Sequence, residues 1–133
     1  MRTLPIVMDS IAQANLHNRL WVVDSGSTDG TIDFAKKSGA TVLHRDWDGM
    51  VGQRRFLLEQ CRAQGADWAL MLDADEWPDS ALWGAVAKLT KEDPPDTVGA
   101  EVHRQLMVHG MPLNFVCQPE RRLRLVRPEH SSV

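Results

Sequence analysis

An apolar run that stops abruptly at three carboxylates constrains this chain more than any other stretch. Ala69-Leu70-Met71-Leu72 leads directly into Asp73-Ala74-Asp75-Glu76-Trp77. Four consecutive apolar residues predict a short strand covered on both faces, as in a parallel sheet flanked by helices. Ligands of such sheets bind beyond the carboxyl ends of the strands, which places Asp73, Asp75 and Glu76 at a binding edge. Asp-x-Asp at a strand end can bring two carboxylates near one point. That donor set suits a hard cation such as Mg²⁺ or Mn²⁺, which also holds substrate phosphates. An acidic loop capping the next helix accounts for the same residues without a ligand. Three like charges this close repel one another, and no lysine stands near them in sequence, so a divalent cation is the expected counter-charge.

A second strand ends in the same way. Leu20-Trp21-Val22-Val23 runs into Asp24-Ser25-Gly26-Ser27-Thr28-Asp29-Gly30-Thr31, where small residues allow a sharp turn and close approach of a ligand to the backbone. Thr28 or Asp29 can cap the following helix, with Phe34 and Ala35 inward and Gly39 at its end. Asp24 leaves its strand on the same edge as Asp73 and could accept from a base N–H or a ribose hydroxyl. A plain strand-to-helix turn is the alternative for this stretch alone.

The remaining elements follow from spacing. Leu4, Val7, Met8, Ile11 and Ala12 mark an opening helix with Thr3 as cap and Pro5 in its first turn, closed by a polar break at Asn15 to Asn18. Thr41-Val42-Leu43 is a third strand. The helix from Met50 to Gln64 is expected to bury Phe56, Leu57 and Cys61, while Arg54, Arg55 and Arg62 supply charge; His44 and Trp47 read as packing residues. Pro78-Asp79-Ser80 starts a helix with Leu82, Val86 and Leu89 inward, Glu92-Asp93-Pro94-Pro95-Asp96 ends it, and Val98 to Val108 reads as a strand. Arg121, Arg122, Arg124 and Arg127 form a basic stretch that could face an anionic lipid headgroup, an anionic saccharide or solvent alone.

At 133 residues the chain is expected to be one domain, and its net charge of −3 argues against nucleic acid as a partner. Cys61 and Cys117 form no metal-ligand spacing and no disulfide framework, so a reducing, cytoplasmic setting is expected. No stretch has the length of a membrane span or the form of a signal peptide.

Val22-Val23-Asp24-Ser25-Gly26-Ser27-Thr28-Asp29-Gly30-Thr31, then Gly39-Ala40 and a strand, then Leu72-Asp73-Ala74-Asp75-Glu76 resembles glycosyltransferase family 2. The bacterial branch that adds sugars to the lipopolysaccharide core is the most similar. Arg45-Asp46-Trp47-Asp48-Gly49 and Gln53-Arg54-Arg55-Phe56 fit that branch too, although asparagine is common where Arg55 stands. The resemblance spans roughly Leu4 to Arg127. It implies an α/β, three-layer, mostly parallel sheet of the GT-A, nucleotide-diphospho-sugar transferase type, forming a single domain over residues 1–133. Residues 1–93 would bind the nucleotide sugar and residues 94–133 would begin the acceptor side.

The implied reaction moves a hexose from a nucleotide-sugar donor to a saccharide or glycolipid acceptor in lipopolysaccharide core or other cell-surface glycan synthesis. Asp24, Ser25, Gly26, Ser27, Asp29, Arg54 and Asp73 would contact the donor. Asp75, with Asp73, would hold Mg²⁺ or Mn²⁺. Pro119-Glu120-Arg121-Arg122-Leu123-Arg124-Leu125 is similar to a segment where the family often carries Pro-Asp followed by Arg-Leu, which makes Glu120 the candidate catalytic base. Peripheral contact with the cytoplasmic face of the inner membrane is a further expectation. The first strand of the family's sheet has no counterpart before the opening helix, so a truncated, non-catalytic remnant or subunit with partial nucleotide and metal binding is the alternative. An aspartate-phosphorylated receiver also gathers acids at strand ends, but leaves the Ser-Gly-Ser-Thr-Asp-Gly turn unexplained.

Overall fold

The computed structural model describes residues 3–14, 20–113 and 120–131. The break at Asn15 to Asn18, Cys117 and Pro119 lie outside the described residues. Helix α1 (Leu4–Gln13) opens with Pro5 in its first turn, and its buried face is Leu4, Val7, Met8 and Ser10. Thr3 caps it through its carbonyl, which accepts from the Ile6 and Val7 amides, not through its side chain. Strand β1 (Trp21–Asp24), helix α2 (Thr31–Lys37) and strand β2 (Thr41–His44) form one unit. The two strands pair in parallel, so Asp24 and His44 end side by side. Leu4 and Met8 of α1 pack with Ala35 and Ala40, and Leu20, Val22, Phe34 and Val42 close this core.

A second core lies under helix α3 (Met50–Ala63) and strand β3 (Ala69–Leu70). Leu58, Ala69 and Val126 are its buried centre, with Cys61 and Met71 against them. The expected inward residues Phe56 and Leu57 are only partly covered, and Leu58, one position on, is the residue that is fully enclosed. Helix α4 (Ser80–Glu92) starts where Asp79 accepts from the Leu82 amide at 2.8 Å. Its Trp83 indole donates to Ser10 Oγ at 3.2 Å, and Ser10 donates to the Pro78 carbonyl, tying α4 to α1.

Strand β4 (Gly99–Arg104), the short hairpin of β5 (Met107–Val108) and β6 (Met111–Pro112), strand β7 (Glu120–Val126) and a 3₁₀ turn (Pro128–His130) complete the chain. The continuous strand expected over Val98 to Val108 is therefore broken, and Leu106 and Val108 are exposed. Arg127 closes the end of β7: it stacks on Trp68 at 4.2 Å, pairs with Asp93 at 2.8 Å and donates to the Thr97 and Pro94 carbonyls.

In place of the single, mostly parallel sheet expected, the described strands form three separate sheets, β1–β2, β3–β7–β4 and β5–β6, so Asp24 and Asp73 do not leave a common sheet edge. Among the described residues β1–β2 is parallel, whereas β7 lies between β3 and β4 and is antiparallel to both. An apolar run shows that a strand is covered; it does not show the direction of its neighbour. Two side chains read as packing residues are also outside the cores. Trp47 is 65% exposed, and the His44 ring is exposed beside Asp46. His44 ends β2, and Trp47 lies on the polar loop that follows it.

Candidate functional site

Asp24 is buried and folds its own turn. Its carboxylate accepts from the Gly26 and Ser27 amides, each at 2.8 Å. Burial pushes this carboxyl up, but the hydrogen bonds from Ser27 and Gly26 together outweigh it and hold the group below its ordinary range. Gly26 takes the left-handed backbone, φ 103°, that the turn requires. Asp29 accepts from the amide and hydroxyl of Thr31, but the cap position of α2 is Gly30, without a side-chain cap, and not Thr28 or Asp29 as expected. Ser25, Gly26, Ser27 and Asp29 are exposed along this turn.

Helix α3 joins that turn to the acidic loop. Gln53 Nε2 donates to the Asp46 carbonyl at 3.1 Å and reaches Ser25 Oγ at 3.4 Å. The next residue, Arg54, donates to Asp73 at 3.2 Å. Two neighbours in sequence thus bridge the loops after β1, β2 and β3. The loop after β2 sits tightly on the helix start. A Cβ at Gly52 would fall 2.2 Å from Asp48 Oδ1, so a larger residue there would make the Asp48 carboxylate, which pairs with Arg45, swing aside.

The acidic loop is compensated by arginines. Arg124, 3% exposed, donates from one nitrogen to Asp73 at 2.8 Å and to Glu76 at 2.5 Å. Glu76 also accepts from the Asp73 amide at 3.1 Å and from Arg104 at 3.2 Å. Burial raises the Asp73 pKa, and the charges and hydrogen bonds of Arg124 and Arg54 more than reverse that. Contrary to the expectation of a cation as counter-charge, arginines distant in sequence neutralise Asp73 and Glu76. Asp75 is exposed, and no ion pair to it occurs among the described residues.

Glu120 stands at the start of β7 and pairs with both Arg104 and Arg122. The Arg104 hydrogen bond is the main cause that holds its carboxyl below the ordinary range. In this state Glu120 is a weaker base than a free carboxylate. Arg104 spans Glu120 and Glu76, so an unbroken series of ion pairs runs Asp73, Arg124, Glu76, Arg104, Glu120. The basic stretch is not one free face, since Arg122, Arg124 and Arg127 each hold a carboxylate. Gln53, Arg104 and Arg124 went unassigned from sequence; the Gln-Arg pair at the start of α3 was the available signal for the first.

Among the described residues no three side chains converge as a metal cage. Asp75 supplies one uncommitted carboxylate, while Asp73 would have to share its oxygens with Arg54 and Arg124. That set fits a cation whose shell is completed by phosphate oxygens and water.

Two polar strand-end turns and a carboxylate-rich loop are thus bridged by one helix of an α/β domain. Residues 2–110 match the family described as Glycosyl transferase family 2, and the chain belongs to it. Membership implies the GT-A nucleotide-sugar transferase fold. The chain is 36% identical over 112 residues to the lipopolysaccharide core biosynthesis glycosyltransferase LpsC of Rhizobium meliloti, covering 80% of this chain and 40% of that protein. It is 45% identical over 62 residues to an uncharacterized glycosyltransferase of Rickettsia conorii, covering 47% of this chain and 21% of the relative. A TPR repeat-containing protein of Synechococcus elongatus is 31% identical over 120 residues, 87% of this chain and 29% of its own length. The chain thus spans well under half of each of these relatives. No solved structure matches it significantly. Among the described residues no helix is long and apolar enough to cross a membrane.

Proposed function

We propose that this chain binds a nucleotide-sugar donor and carries the donor side of a hexosyl transfer to a saccharide or glycolipid acceptor, in lipopolysaccharide core or other cell-surface glycan synthesis. The observation that carries this reading is the bridge by Gln53 and Arg54, which draws the Asp24–Asp29 turn and the Asp73–Glu76 loop to one helix end. Asp24 shapes the turn, and Ser25, Gly26, Ser27 and Asp29 offer amides, hydroxyls and a carboxylate to the nucleoside. Arg54 shares its guanidinium between Asp73 and the diphosphate. Asp75 is the residue that would hold Mg²⁺ or Mn²⁺, with Asp73 beside it, and the bound cation would offset charge on the departing nucleotide.

Glu120 acts as the base that takes the acceptor hydroxyl proton once the acceptor loosens its bonds to Arg104 and Arg122. The work is done at the cytoplasmic face of the inner membrane, where the acceptor is presented. The lipopolysaccharide setting draws on the name of the Rhizobium relative, and the donor reading on family membership together with the acidic loop.

Isothermal calorimetry with a panel of nucleotide sugars in Mn²⁺ tests the proposal. Binding of one donor class, competed by its nucleoside diphosphate, is expected. Failure of every donor to bind the folded chain would contradict it.

A further inference from the structure

Arg124 occupies an irregular position in its sheet. On β4 the neighbours Ala100 and Glu101 face Leu125 and Leu123 of β7, so Arg124 is skipped in the register. A bulge residue lacks a cross-strand partner, and its side chain is re-aimed relative to the strand's alternation. Leu123, which alternation would group with Leu125, is 54% exposed, and Arg124 turns inward instead. On its other side the Arg124 carbonyl accepts from the Met71 amide at 2.9 Å. Backbone and side chain of one residue therefore grip both ends of the segment from Met71 to Glu76.

Stability alone does not call for this arrangement. Backbone pairing already joins β3 and β7, and Leu58 with Val126 fills the core beneath them. A buried charge with its partners is often matched or bettered in stability by apolar side chains of similar volume. What the ion pairs add is geometry: one nitrogen sets the positions of two carboxylates that flank Ala74 and Asp75. We propose that Arg124 is a positioning residue, which from its bulge fixes the Asp73–Glu76 loop so that Asp75 faces the donor diphosphate. The proposal rests on the nucleotide-sugar reading above and adds a residue to it.

The test is calorimetric binding of uridine, thymidine, cytidine and guanosine diphosphates in Mn²⁺ to the unaltered chain and its variants, with circular dichroism as the check on folding. Arg124→Met is expected to keep the fold and weaken the preferred diphosphate by about tenfold or more, the scale of lost charge-assisted positioning. Arg124→Lys is expected to recover affinity to within about fivefold, because a single ammonium can stand where a single guanidinium nitrogen bridges both carboxylates. Recovery by lysine is a result that mere filling of the core would not give. If Arg124→Met fails to fold, Glu76→Gln removes the grip from the loop side and is expected to weaken binding similarly. Undiminished binding by a folded Arg124→Met, or by Glu76→Gln in its place, would overturn the proposal. Absence of binding by the unaltered chain would instead overturn the nucleotide-sugar reading, and this inference with it.

Discussion

The guanidinium of Arg124 lies 2.8 Å from the carboxylate of Asp73 and so fastens strand β7 to the acidic loop across 51 residues of sequence. With Arg54 on the same carboxylate, the loop that follows β3 is held from the helix side and from the sheet side. Asp75, between the anchored residues, is the carboxylate left to a ligand.

Arg54 holds that loop through Asp73 and is proposed to reach the donor as well. Arg54→Ala is expected to weaken nucleotide-sugar binding by about 1.5–3 kcal/mol, the scale of a hydrogen bond to a charged group. Calorimetry measures it. Unchanged affinity with an intact fold would leave Arg54 as a helix-to-loop tie only.

Asp24 carries a pH dependence of known sign. Its carboxyl is held below the ordinary aspartate value in the folded chain. The stability it contributes is therefore complete above that value and is lost as pH falls through the lower folded value. Asp24→Asn removes the charge that accepts two backbone amides and is expected to cost about 1–3 kcal/mol near neutral pH. It should also flatten the acid limb of a urea-unfolding series. An acid limb identical in the two proteins would contradict this role.

Leu58 marks the centre of the second core, where it packs with Ala69 and Val126. Leu58→Ala is expected to cost about 2–5 kcal/mol in unfolding free energy. Leu57→Ala, on a partly covered residue, should cost less. Denaturant melts of the two variants check the order.

Much of the secondary structure was legible, because apolar spacing and turn residues act locally. Helices α1 to α4, strands β1 and β2 and the start of α4 at Asp79 all rest on such short-range signals. The Asp24 turn and the Asp73 loop, expected near one another, are bridged by Gln53 and Arg54, and family membership agrees with the motifs that carried the resemblance. The arginine partners were not legible. Alternation along Arg122-Leu123-Arg124-Leu125 points both arginines away from the leucines, and only the bulge at Arg124, a property of the pairing with β4, breaks that phase. Arg104 likewise meets Glu76 and Glu120 through sheet register. Direction of strand pairing escaped for the same reason: burial is written in composition, but the identity of a neighbour is not.

Glu120 is the proposed base, and its pairing with Arg104 and Arg122 sets a condition on it. Glu120→Gln is expected to slow hexosyl transfer by about 10²–10⁴-fold while donor binding changes little. Release of nucleoside diphosphate in the presence of an acceptor measures the rate. Full activity of the glutamine variant at neutral pH would remove Glu120 from the mechanism.

Asp75 is the proposed ligand of a cation held together with the donor diphosphate, and thermal unfolding tests this role most directly. A site with one uncommitted carboxylate should bind Mn²⁺ weakly until phosphate oxygens complete the shell. Mn²⁺ alone is expected to raise the melting temperature slightly, and Mn²⁺ with a nucleoside diphosphate markedly more. Asp75→Asn, which keeps the shape and removes the charge, should abolish the combined increment. Equal stabilisation by the diphosphate in chelator and in Mn²⁺, unchanged by Asp75→Asn, would contradict the account.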